Sequence, residues 1–84
     1  MPITEYNAVV DLGLDTAPDD ILDALLDYHP ALARSPRGTV VAIITLSAES
    51  LRQATITALA VCERATGREV CAVEVMTTAD FDAM

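Results

Sequence analysis

The sequence predicts an α+β domain with the element order β-α-β-β-α-β, and three stretches carry that prediction. Residues 4–14, TEYNAVVDLGL, alternate from one side to the other, the period of two that marks a half-buried strand. Residues 39–46, TVVAIITL, are β-branched and apolar on both sides, which suits the middle of a sheet. From the cap Ser47 to Thr66, Leu51, Ala54, Thr55, Ala58, Val61, Cys62 and Ala65 recur at helical spacing, and Gly67 supplies the stop.

The remaining elements follow in chain order. Thr16 and Asp19 form a T-x-x-D capping pattern, and Pro18 fits a first helical turn. Ile21, Leu22, Leu25, Leu26 and His29 then share one helix face, and Pro30 ends the helix near Tyr28. SPRG at residues 35–38 is a turn, and ALARS before it reads as a short edge strand. If ALARS is not a strand, a three-stranded β-α-β-α-β unit with a mostly parallel sheet is the alternative. REVCAVEVM, residues 68–76, is the last strand. The polar tail of residues 77–84 frays or forms a short helical turn beginning at Thr78. All 84 residues, 1–84, fit one domain, too short for two.

This order resembles the ferredoxin-like split βαβ arrangement. The resemblance implies a two-layer sandwich, with a four-stranded antiparallel sheet and two helices on one face. Ala8, Val10, Leu12, Val40, Ala42, Ile44, Leu46, Cys71, Val73 and Val75 then face the helices. The other face is open and carries Asn7, Val9, Asp11, Val41, Ile43, Thr45, Val70, Ala72 and Glu74. Its apolar middle, Val9, Val41, Ile43, Val70 and Ala72, reads as an oligomer interface, with a symmetric homodimer the simplest assembly. The competing expectation is that Phe81 and Met84 fold back over this patch.

Charge narrows the function. Thirteen acidic residues against five arginines give a net charge of −8, with no lysine. No cationic surface is available to neutralise phosphates, so direct binding to nucleic acid or to an anionic membrane is not expected. Ferredoxin-like sheets that bind RNA stack bases on exposed aromatics. Here the central positions are Val9, Val41 and Ile43, with Asp11 and Glu74 beside them. Metal-binding relatives of the fold carry C-x-x-C in the first loop, which here reads GLDTAPDD. Cys62 and Cys71 are too few for a disulfide scaffold and read as small buried hydrophobes in a reducing compartment. The longest apolar run, VVAII, is far too short to span a bilayer, and the first residues show no basic, apolar leader, so a cytoplasmic protein is expected. The all-arginine cation set, with abundant Ala, Val, Asp and Thr, resembles coding from a high-GC genome such as an actinobacterium or one of its phages.

The segment DTAPDDILDALLD raises a separate question. Asp15, Asp19, Asp23 and Asp27 fall four apart, with Asp20 beside them, and on a continuous helix they form one self-repelling row. Such a strip fits a basic protein partner, including one that binds nucleic acid, because residues one turn apart are spaced ~5–6 Å, much as phosphates are. The plain alternative is a solvated face whose first acids favour the positive helix end. DDILD also matches D-D-x-x-D, a magnesium-holding motif of isoprenoid synthases. Those enzymes need a second acidic motif and a large helical cavity, so no metal and no cofactor is expected here. His29 is alone, Ser35 and Ser47 serve turn and cap, and Arg34 and Arg37 form a basic spot at the hairpin. No catalytic constellation emerges. The expected function is a non-enzymatic interaction or regulatory protein that dimerises and binds another protein. The other two readings are a small-molecule regulatory domain, with its ligand between protomers near Gly13 and Asp15, and an acidic nucleic-acid mimic.

Overall fold

The computed structural model describes residues 3–83. Four strands form one sheet: β1 (Thr4–Asp11), β2 (Ala31–Arg34), β3 (Val40–Ala48) and β4 (Ala72–Thr77). Three helices accompany them: α1 (Ile21–Ala24), α2 (Leu51–Thr66) and α3 (Thr78–Asp82). The strand order is β2-β3-β1-β4, and every neighbouring pair is antiparallel. ALAR is indeed an edge strand, hairpin-joined to β3.

Strand alternation separates the two faces. Ala8, Val10 and Leu12 from β1 and its extension, with Val40, Ala42, Ile44 and Leu46 from β3, are buried with α2's Ala54, Ala58 and Cys62. Those small side chains let α2 sit close to the sheet, where it contacts β1, β3 and β4. Ser50, not Ser47, caps α2, because β3 runs on to Ala48. The Ser50 hydroxyl accepts the Gln53 N–H at 3.1 Å, and the Gln53 side chain accepts the Glu49 N–H at 2.7 Å. Gly67 ends the helix in the left-handed region, at φ 72°, as its sequence position predicts.

The first helix departs most from expectation. Helical structure does not start at Thr16; α1 is four residues long and passes at Leu25 into a 3₁₀ turn, Leu26–Tyr28. Ile21 and Leu25 are buried as predicted, whereas Leu22 and Leu26 are exposed and so is the left-handed His29. Three causes act together. Asp is a poor helix former, repeated acids repel, and one short apolar face offers little burial to offset either.

The last strand also differs. Residues 68–71 are a loop, and β4 begins at Ala72, opposite Asp11. Val70 therefore does not lie on the open face; it is half-buried and packs against the helix-side core. Cys71, expected inside, is exposed beyond the last paired residue. The tail forms α3, capped by Thr77, whose hydroxyl accepts the Asp80 N–H at 3.1 Å. This helix packs against β1 and β4 with Phe81 half-buried; Met84 lies outside the described residues.

Candidate functional site

The face away from α2 is where the sheet's pairing gathers the predicted interface. Val9 lies between Ile43 and Glu74, Asp11 between Val41 and Ala72, and Ala31 and Ala33 flank Ile43 and Val41 on the edge. Residues paired across antiparallel strands share a face, so these side chains form one surface. Val9, Val41, Ile43 and Ala72 line a single open depression of about 420 Å³, walled by Ala33, Ser35 and Pro36. Of the five predicted interface residues, Val70 alone is absent. Val41 is only 8% exposed, so Ile43 and Ala72 carry more of the accessible apolar surface. Toward the α3 end the face turns polar, and Asn7 donates to the Thr45 hydroxyl at 3.1 Å.

One charged cluster borders the depression. Arg37, on the β2–β3 turn, pairs with Asp11 at 2.6 Å and lies 3.6 Å from the Cys71 sulfur. The Gly13 N–H, first, holds the Asp11 carboxyl below its usual value of 3.8, helped by the Thr39 hydroxyl and by Arg37, with desolvation opposing. Cys71 and then Asp11 raise the Arg37 guanidinium further above its already high value. A depressed carboxyl stabilises the fold above its unfolded pKa and loses that contribution as pH falls through the folded value. Asp11→Asn is therefore expected to lower the urea midpoint at neutral pH, with the gap to the wild type starting to shrink at about pH 4 and closing only below the depressed folded value. A constant gap down to strongly acid pH would show that the ion cluster is not the cause. The sequence shows Arg34 and Arg37 as a solvated spot; the missed signal is that β1–β3 pairing brings the hairpin to Asp11. Arg34 instead donates to the carbonyls of Asp15 and Gly38, at 2.9 and 2.7 Å.

The aspartate row is dispersed. Asp15 lies in a bend after β1, Asp19 in a turn and Asp20 at the α1 N-cap, where its side chain caps nothing. Asp23 is in α1 and Asp27 in the 3₁₀ turn. All five remain exposed. Asp20 and Asp27 border a cleft of about 370 Å³ against α2, beside Tyr28 and Arg64. Among the described residues no group of three or more His, Cys, Asp or Glu is arranged to hold a metal ion.

The two thiols now differ. Burial, then Glu63, pushes Cys62 up to about 11, while Cys71 is open to solvent. A disulfide reagent should therefore label one thiol of the folded protein, Cys71, and reach Cys62 only on unfolding. Rapid labelling of both under native conditions would contradict the burial of Cys62.

Among the described residues, no helix is long and apolar enough to cross a membrane. Compared with known proteins, the chain matches no family model, no curated protein and no solved structure.

Proposed function

We propose that this is a ferredoxin-like interaction protein, not an enzyme, that pairs with a second copy of itself through its open sheet face. The antiparallel order β2-β3-β1-β4 supports the fold reading, with α3 as an addition. One observation carries the functional reading: Val9, Val41, Ile43, Ala33 and Ala72 make an apolar floor on the face away from α2. Uncovered apolar surface of this kind on a strongly charged small protein marks an interface. A two-fold pair uses the same floor twice, so each apolar contact counts in both copies. Its free thiols suit a cytoplasmic accessory role.

Light scattering across a concentration series tests this directly. A mass that rises from one to two chains supports the reading, and a monomer at every concentration rejects it. A second reading, a regulatory site for a small apolar molecule, is favoured by the depression itself, whose volume falls within the range of ligand pockets. That reading requires thermal stabilisation by such a molecule without any change in mass.

A further inference from the structure

The open face is not uncovered along its whole length. By strand alternation Asn7 shares that face with Val9 and Asp11, and it pairs with Thr45 on β3 and Met76 on β4. Yet Asn7 is only 7% exposed. Since α2 packs on the opposite face, α3, the other helix packed on β1 and β4, is what covers this end. Phe81 agrees with that placement: it is half-buried but does not belong to the core beneath α2.

This cover is chemically mismatched to its floor. Among the described residues, the Asn7 side-chain carbonyl and the Thr78 hydroxyl are buried and meet no hydrogen-bond partner. Asn7 uses only its side-chain N–H, on the Thr45 hydroxyl at 3.1 Å. A buried polar atom without a partner favours any state that returns it to water. The helix has little to oppose that. It is five residues long, too short to hold itself, and none of its residues is fully buried. Its hold is the half-buried Phe81 and the Thr77 cap on the Asp80 N–H. β4, by contrast, is paired to β1 as far as Thr77. The boundary between firmly held sheet and loosely held helix therefore falls between Thr77 and Thr78.

We propose that α3 is a latch on the open face: it swings off while the sheet stays folded, and when closed it withholds the Asn7 end from a second copy. The second half of that statement rests on the pairing reading; the first half does not. Opening returns the Asn7 carbonyl and the Thr78 hydroxyl to water. It also extends the floor by one row, Thr45, Asn7 and Met76, in register with Ile43, Val9 and Glu74. The closed latch competes with pairing, and its equilibrium sets how much of the face a partner copy meets.

The test uses the full chain. Amide hydrogen exchange is read by mass spectrometry at a dilution where the chain is monomeric, and pairing by light scattering at higher concentration. In the wild type, α3 should exchange roughly a hundredfold faster than β1. Equal rates would mean that α3 leaves only when the whole domain unfolds, and would overturn the latch. Asn7→Leu combined with Thr45→Val replaces both polar partners by apolar groups of the same shape. It should slow exchange in α3 about tenfold and, although it adds apolar surface to the face, weaken pairing. Phe81→Ser should do the reverse, with faster exchange and tighter pairing. Unchanged α3 exchange in the apolar double variant would show that the orphaned atoms do not drive opening, and tighter pairing by it would show that position 7 lies uncovered; either overturns the inference. Altered exchange with unaltered pairing would overturn the competition with a second copy. A chain that never pairs, in wild type or variants, rejects the pairing reading and the second half with it, while the exchange rates still decide the first.

Discussion

Replacing Ile43 with arginine is expected to abolish the proposed pairing and leave a folded monomer. Ile43 sits mid-face, paired with Val9 on one side and Ala31 on the other, and is only half-buried in the single chain. An arginine there can reach solvent in the monomer, so the fold is kept. In a symmetric pair it appears twice, each time losing the part of the isoleucine's burial that pairing adds, about 1 kcal/mol at most, and placing a cation against an apolar floor. The dissociation constant should rise by at least two orders of magnitude. Val41→Arg is the less clean variant, because Val41 is already buried within one chain. Salt supplies a second readout. Two copies at −8 repel, so wild-type pairing should tighten as screening increases. Sedimentation of wild type and variant at low and physiological salt checks both. An Ile43→Arg protein with wild-type mass in each buffer would remove the open face from consideration.

Two adjacent leucines should give opposite results when truncated. Leu25 is fully buried against the core, and Leu25→Ala is expected to cost about 2–5 kcal/mol, the range for a leucine removed from a packed interior. Stability in a domain of this size is only about 5–15 kcal/mol, so that loss is a large part of it. Leu26→Ala, at 67% exposure, should stay within about 0.5 kcal/mol. Urea melts of the pair measure the difference. Equal losses would mean that the first helix continues through Leu26 and buries both, as the leucine spacing alone suggests.

That contrast shows where the sequence speaks and where it is silent. β1, β3 and α2 are long, and each repeats its pattern often enough for period and element to agree. Even the four-residue β2 is legible, because SPRG forces a turn beside a strong strand. For the first helix, Ile21, Leu22, Leu25 and Leu26 satisfy a helical face equally well whether the helix has one turn or three. What decides its length is the tertiary burial available to two of them, and spacing does not encode that. The face positions of Val9, Val41, Ile43 and Ala72 follow from alternation, whereas Val70 and Cys71 do not, because Gly67 leads into a loop that delays β4 to Ala72. The aspartate row fails for the same reason as its helix: a period of four is a line only while the backbone stays helical.

Central placement of β1 has a consequence for biosynthesis. Residues 4–11 are made early and hydrogen-bond on one flank to residues 72–77, made more than sixty residues later. Until that final segment clears the ribosome, β1 has one neighbour, from β3, and the Val9–Asp11 stretch presents a naked backbone edge. Pairings so distant in sequence slow folding, because chain entropy is spent before the contact rewards it. The nascent β1 must therefore wait with that flank exposed until residues 72–77 emerge, a window in which a chaperone or a neighbouring nascent copy competes for the same edge.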